Sequence, residues 1–286
     1  MQTVNRLANL REAVDTLRAK GPVALVPTMG ALHEGHLTLV RKAKKRATSV
    51  VVSIFVNPTQ FGPNEDLDAY PRQITEDSRL LEAEGVDLLW APPVEEVYPS
   101  SFATTVSVSG VSERLCGASR PGHFDGVATV VCKLFNQVRP DVALFGEKDW
   151  QQLAVIRRMA YDLDLTQPRA SGIMGVPTVR EVDGLALSSR NRYLSIGDRR
   201  RAAVLPQAMR EAVARIERGE DVSAALLALK KALLDGGFAS VDYAELADAG
   251  SLEALAAPGP HPARLFVAAR IGGTRLIDNA PVAPRA

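Results

Sequence analysis

The stretch VALVPTMGALHEGHLTLV, residues 23–40, holds a short apolar run, a turn and the start of an amphipathic segment in immediate succession. Val23, Ala24, Leu25 and Val26 make a run too short for a helix and suited to a buried strand. Pro27 cannot donate to a sheet ladder, so the strand is expected to end near it. Gly30 permits a turn, and beyond Glu34 and Gly35 the residues Leu37, Val40, Ala43 and Ala47 recur at helical spacing. A helix that starts here presents unpaired backbone N–H groups, which attract an anion, with phosphate the foremost guest. His33 and His36, three residues apart, fall on one side of that first turn. Two nitrogen donors at such a place can hold a triphosphate and stabilise charge on a departing pyrophosphate.

Outward from this stretch, SVVVSIF at 49–55 is a second buried strand, so strand, helix and strand form a βαβ unit. In such sheets ligands sit beyond the carboxyl ends of the strands. Asn57, Thr59 and Gln60 follow the second strand there, as the histidines follow the first. Asn57-Pro58 is a turn dipeptide that turn chemistry alone explains, whereas the amide of Gln60 both donates and accepts and suits a hydroxy acid. DVALF at 141–145 is a further strand, and Gly146, Glu147, Lys148, Asp149, Trp150, Gln151 and Gln152 follow it. Glycine permits close backbone approach, Lys148 offsets phosphate charge, and Asp149 accepts from ribose hydroxyls or holds Lys148. An exposed charged helix cap is the plainer alternative for this cluster.

The intervening segments read as scaffold. A helix starts at Asn9 and stops at Gly21-Pro22; another starts at Pro71, carries Ile74, Ser78 and Leu81, and closes at Gly85. VDLLWAP at 86–92 is a strand, TTVSVSG at 104–110 alternates like a half-buried one, and residues 64–70 form a polar loop expected to be mobile. Arg120 lies in a loop, open between an anion ligand and a surface arginine. From Gly126 the positions Val127, Val130, Val131, Leu134, Phe135 and Val138 mark a clear helix. Gly172 to Gly175 with Pro177 marks a boundary. Beyond it TVREVDGLALSS reads as a hairpin turning at Asp183-Gly184, followed by Ser188, Ser189, Arg190 and Asn191. Ser195 with Asp198 suggests a helix cap, and helix is expected to about Gly236 with breaks at Pro206 and Gly219. DYAELAD is a strand, and RLFVAARI with TRLIDN a second hairpin; the final residues are expected to fray.

Composition narrows the class. A chain of 286 residues buries roughly three quarters of its unfolded surface. A net charge of +1 gives no reason to expect nucleic acid or an anionic membrane as partner. RKAKKR at 41–46 is most simply a solvated helix face. The apolar run at 50–56 is too short to span a bilayer, and the first ten residues lack a signal-peptide form, so a cytoplasmic location is expected. Cys116 and Cys132 make neither a disulfide framework nor a zinc site; Cys132 is expected in the core, and Cys116 has no activating base nearby in sequence.

MGALHEGH at 29–36 resembles the HxGH signature of nucleotidyltransferases that bind ATP and release pyrophosphate. With FVNPTQF at 55–61, FGEKDWQQ at 145–152 and LSSRNRYL at 187–194 in matching order and spacing, residues 1–280 resemble the pantothenate synthetase (pantoate–β-alanine ligase) family. That resemblance implies an α/β fold. A Rossmann-like parallel-sheet domain over residues 1–177 would bind ATP and pantoate, and a smaller α+β domain over 178–286 would close over the site. It implies two steps: pantoate's carboxylate attacks the α-phosphorus of Mg-ATP to give pantoyl adenylate and pyrophosphate, and β-alanine then displaces AMP to give pantothenate.

The same resemblance carries site residues. Met29, Gly30, Ala31, Leu32, His33, Glu34, Gly35 and His36 become ATP-binding, with His36 at the proton-donor position; oxyanion stabilisation describes that role equally well. Gly146, Glu147, Lys148, Asp149, Val179, Leu187, Ser188, Ser189 and Arg190 also match ATP positions. Lys148 and Arg190 are the main phosphate cations and join His33 and His36 as the catalytic set. Gln60, Gln152 and Asn57 fall to pantoate, and Gln60 also to β-alanine. Leu187 stands where the family leads one to expect methionine, a swap of similar volume. Mg2+ is implied by the triphosphate rather than by a ligand cluster. The implied partners are ATP, pantoate and β-alanine, with no nucleic acid and no membrane, and the implied assembly is a homodimer. Three rivals stay open: an HxGH enzyme acting on a phosphate monoester, a tRNA-binding module, and a silent binding protein on the same fold.

Overall fold

The structure, a computed structural model, describes residues 1–63 and 65–285. They fall into two compact units: Met1–Ser112 with Arg120–Glu147 and Gln152–Pro177, and Thr178–Ala286 with Glu113–Ser119 and Lys148–Gln151.

In the first unit the chain runs β1 (Gln2–Val4), α1 (Leu7–Arg18), β2 (Val23–Thr28), α2 (Glu34–Lys44), β3 (Ser49–Ile54), α3 (Ile74–Ala83), β4 (Leu88–Trp90) and α4 (Val94–Val97). After the short α5 (Cys116–Ser119), which belongs to the second unit, come α6 (His123–Val138), β5 (Val142–Gly146), α7 (Trp150–Asp162) and β6 (Ile173–Val176). The six strands make one parallel sheet in the order β1-β4-β3-β2-β5-β6. β2 and β3 are buried at nearly every position, as expected of strands covered on both faces. Val26, Leu39, Val40, Leu81, Leu89 and Leu144 lie in the core between sheet and helices. The chain moves from β2 outward to β3 and β4, then returns to β5 on the other side of β2. That reversal is a topological switch point, the place where parallel sheets bind ligands beyond their carboxyl ends.

Several local expectations are corrected. Pro27 lies inside β2, opposite Ser53. β5 pairs with β2 only at Ala24 and Leu25, so at Pro27 the strand has one neighbour, as an edge proline does. Residues 104–110 form no strand; the Val106 amide donates to the Thr129 hydroxyl (2.9 Å) on α6 instead of to a ladder. The glycine-rich boundary holds β6, an edge strand paired with β5. α1 starts earlier than expected, and the Glu96 carboxylate accepts from the Leu7 amide (2.7 Å), so the cap comes from 89 residues away. α3 starts at Ile74, which is exposed, while Asp77 and Leu81 are buried. Cys132 is half-buried rather than core. Of the loop at 64–70, Asn64 lies outside the described residues, as does Ala286 at the expected frayed end; Tyr70 is buried and packs edge-on to Phe61.

The second unit opens with the expected hairpin. The Glu181 amide donates to the Leu185 carbonyl (2.8 Å) and the Leu187 amide to the Val179 carbonyl (3.0 Å). Then follow α8 (Ile196–Ala202), capped by the Ser195 hydroxyl, α9 (Val204–Glu217) and α10 (Val222–Asp235). Pro206 lies in the first turn of α9 rather than breaking it, because that turn needs no N–H there. β7 (Ser240–Asp248), β8 (Ala263–Ile271) and β9 (Thr274–Val282) form an antiparallel sheet in that order. Leu205, Met209, Leu229 and Leu233 of the helices close on Leu265, Val267 and Ile271 of β8. Among the described residues, no helix is long and apolar enough to cross a membrane.

Candidate active site

The segment leaving β2 is shaped by a residue that sequence reading passed over. Gly30 has φ +83° and Ala31 φ 51°, so two successive residues lie in the left-handed region. For alanine this costs about 1–2 kcal/mol. Asp77 on α3 offsets it: its Oδ2 accepts from the Ala31 amide and its Oδ1 from the Leu32 amide, both at 2.9 Å. Gln73 Nε2 donates to the same carboxylate at 3.1 Å. Asp77 is 1% exposed, so its charge is neutralised by these donors rather than by water. A Cβ on residue 30 would stand 3.0 Å from Asp77 Oδ2, so glycine lets the turn close on its anchor.

The turn delivers the chain to α2 with His33 as the N-cap. His33 Nδ1 accepts from the Gly35 amide (3.1 Å), and His36 Nδ1 accepts from the His33 amide (3.3 Å). A proton on either Nδ1 would set donor against donor. Each neutral ring therefore carries its proton on Nε2, and the rings lie with centroids 4.1 Å apart. The helix start thus sets two imidazole rings beside its own amides. Glu34 pairs its carboxylate with Arg41, so what it brings to the helix start is its backbone.

After β3 the chain turns through Pro58–Gln60. Asn57 is 1% exposed, and its amide is engaged on every side. Nδ2 donates to the Gly126 carbonyl (3.1 Å) and Gln60 Oε1 (3.2 Å); Oδ1 accepts from the Thr59 hydroxyl (3.0 Å) and the Tyr98 hydroxyl (2.9 Å). The Asn57 side chain shapes the turn. Gln60 also donates from Nε2 to Met29 Sδ (2.8 Å), which ties this turn to the one after β2. An amide has two N–H groups and two lone pairs, so these two bonds orient Gln60 without exhausting it. Burial pushes the Tyr98 phenol up, keeping it a donor to Asn57.

Three further residues, Gly126, His123 and Arg120, hold this turn from behind. A Cβ on Gly126 would meet the Thr59 carbonyl oxygen at 2.3 Å, so only glycine lets α6 approach. His123 Nδ1 lies 2.8 Å from the Gln60 carbonyl, and Arg120 reaches that carbonyl (3.2 Å) and His123 Nε2 (3.0 Å). Arg120 settles on a protein carboxylate, Glu65, at 2.6 Å. Burial raises the Glu65 carboxyl, but the hydrogen bond and charge of Arg120 outweigh it and hold it below its ordinary value.

Gly146 ends β5 opposite Val176, and Glu147 follows in the first unit; Gln152 lies there too, on α7. Lys148–Gln151 belong to the second unit, as do Val179, Leu187, Ser188, Ser189 and Arg190. Lys148 Nζ stands 3.5 Å from Asp149 Oδ1, which matches the reading that Asp149 holds the lysine. Gln151 is clamped: its Oε1 accepts from the Cys116 amide (3.0 Å) and its Nε2 donates to the Arg114 carbonyl (2.7 Å). Val179 and Leu187 face each other across the hairpin. The Ser188 hydroxyl oxygen accepts from the Arg190 amide (3.3 Å), which starts the single turn Ser189–Tyr193.

The model of the pantoate-beta-alanine ligase family matches residues 2–281. The chain belongs to the pantoate–β-alanine ligase family. It is 68% identical over 286 residues, all of both chains, to the pantothenate synthetase of Novosphingobium aromaticivorans. It is 60% identical to that of Sphingopyxis alaskensis, covering 99% of this chain and 100% of the relative. The crystal structure of pantothenate synthetase from Thermus thermophilus matches with TM-score 0.92 and 49% identity, over 99% of this chain and 100% of that one. The pantoate-β-alanine ligase of Francisella tularensis, solved with β-γ ATP and β-alanine, matches with TM-score 0.81 and 34% identity, over 98% and 97%. The parallel sheet with its helices and the small antiparallel sheet are thus the α/β, nucleotidyltransferase-like fold of this ligase family.

Proposed function

We propose that the enzyme condenses (R)-pantoate with β-alanine to pantothenate at the expense of ATP, through a pantoyl adenylate, releasing pyrophosphate and AMP. Family membership over nearly the whole chain supports the overall reaction. The observation that carries the mechanism is the pair of imidazoles at the start of α2, each taking a backbone amide on Nδ1, from Gly35 for His33 and from His33 for His36.

In the first step the pantoate carboxylate oxygen bonds to the α-phosphorus of ATP, and the bond from that phosphorus to the bridging oxygen of pyrophosphate breaks. Charge grows on the departing phosphates. His33 and His36 donate to it with the amides of residues 33–36, and Lys148 and Arg190 supply the cations. Gln60 and Gln152 hold pantoate, while Asn57 acts by positioning Gln60 rather than by touching substrate. In the second step the β-alanine amine bonds to the acyl carbon and the bond to the AMP oxygen breaks. Gln60 takes that amine as well in this proposal. No covalent enzyme intermediate is needed. Mg2+ belongs to the substrate and arrives with the triphosphate.

A cytoplasmic location, expected from the sequence, and a homodimer, implied by the family resemblance, complete the proposal; sedimentation equilibrium tests the second, and a monomer at micromolar concentration would remove it. The function itself is tested by supplying Mg-ATP, pantoate and β-alanine together. Pantothenate and AMP formed in equal amounts are expected. ADP as the nucleotide product, or no product from folded protein, would overturn the assignment.

A further inference from the structure

Two buried polar residues stand next to each other in β9, beside a helix-facing side that Leu265, Val267, Leu276 and Val282 make apolar. Asp278 is 2% exposed and Asn279 is 3% exposed. Leu276, Ala280 and Val282 belong to the core beneath the helices, so Asp278 shares their face of the strand and Asn279 points to the opposite one. On the helix side, Asp278 takes Arg180 in a two-pronged bond (2.6 and 3.0 Å). Arg180 bridges to Ala186 at the base of the hairpin that carries residues 187–190. On the other side, Asn279 Nδ2 donates to the Lys148 carbonyl (2.9 Å), and its Oδ1 accepts from Arg264 Nε (2.8 Å). The Arg264 guanidinium lies 3.7 Å over the Trp150 ring, and Trp150 Nε1 donates to the Ala249 carbonyl (2.8 Å). All of these residues lie within the second unit.

Such an arrangement is costly as mere architecture. Burying an acid, an amide and an arginine in one strand pair is repaid only when every group is satisfied, and apolar residues build the same pair with less risk. What the polar pair adds is position. Through one strand, two consecutive side chains grip the two segments that bear Lys148 and Arg190.

We propose that Asp278 and Asn279 form a yoke that fixes the Lys148 segment against the 187–190 loop, making them positioning residues for the adenylation step. The inference rests on the phosphate roles given above to Lys148 and Arg190. A displacement of about 1 Å at such groups costs up to about 100-fold in rate.

The test is a pair of double-mutant cycles on the full chain, read as pantoate-dependent exchange of labelled pyrophosphate into ATP. Asn279→Ala is expected to slow exchange about tenfold in the wild-type background and less than about twofold in Lys148→Ala, since its effect passes through that lysine. Asp278→Asn is expected to behave in the same way against Arg190→Ala. Asn279→Asp keeps the side-chain volume and the bond to Arg264 but sets an oxygen against the Lys148 carbonyl. It should slow exchange with little change in the pantoate KM and serves if the alanine variant does not fold. Equal losses in both backgrounds, or a loss of stability with unchanged rate per folded molecule, would overturn the yoke. Wild-type exchange in Lys148→Ala would instead overturn the role given to that lysine, so the two failures are distinct.

Discussion

Asp77 shapes the start of α2 from the neighbouring helix. It takes two amides of a left-handed turn on its two oxygens, and that turn sets where His33 and His36 begin α2. Replacing it with alanine strands both amides in a buried place. Asp77→Ala is therefore expected to destabilise the protein by about 2–5 kcal/mol in denaturant unfolding and to slow pyrophosphate exchange in the molecules that remain folded. Wild-type stability and rate together would remove the role. His36 separates the two effects. Its ring Nδ1 accepts from the His33 amide at 3.3 Å, and its proposed role is toward the nucleotide. For His36→Ala we expect a circular dichroism spectrum and melting temperature close to those of wild type, with adenylate formation slowed by about 100-fold or more. Turnover within a few-fold of wild type would contradict it.

Among the elements, α6 and the turn after β3 meet backbone to backbone. The carbonyl of Gly126 accepts from Asn57, and its missing side chain leaves room for the Thr59 carbonyl. Gly126→Ala must push backbone against backbone, so the turn bearing Gln60 has to shift. The variant is expected to lose about 1–3 kcal/mol of stability and to raise the pantoate KM more than the ATP KM in steady-state titrations. Equal changes in both would place the strain elsewhere. Periodicity found α6 and the strands of the sheet centre, because a long apolar face and a continuous apolar run are local signals. It missed β1 and β6, whose three and four residues become strands only through the neighbours they pair with. It invented a strand at 104–110, where alternation is present but no partner strand is. The α1 cap from Glu96 is of the same kind, since its donor and acceptor are far apart in sequence.

At the scale of the whole molecule, the order of the motifs was legible because polar clusters stand directly after strand ends, at 28, 54 and 146. Val179 and Leu187 came only with the family resemblance, but the candidates that follow those ends, His33, His36, Gln60 and Lys148, stood out. Their supports did not: Asp77, His123, Arg264, Asp278 and Asn279 act across folds of the chain, and no spacing rule connects them to the residues they hold. Asp77 left one trace, an acid four residues before buried Leu81 on the inward face of α3. In the proposed reaction the carboxylate of pantoate is activated as an adenylate before the amine enters. The most direct test is exchange of labelled pyrophosphate into ATP with magnesium and pantoate present and β-alanine absent. Exchange that requires pantoate and vanishes without it is the expected result. A folded enzyme that makes pantothenate from all three substrates, yet shows no exchange without β-alanine, would contradict the adenylate and require a single concerted step.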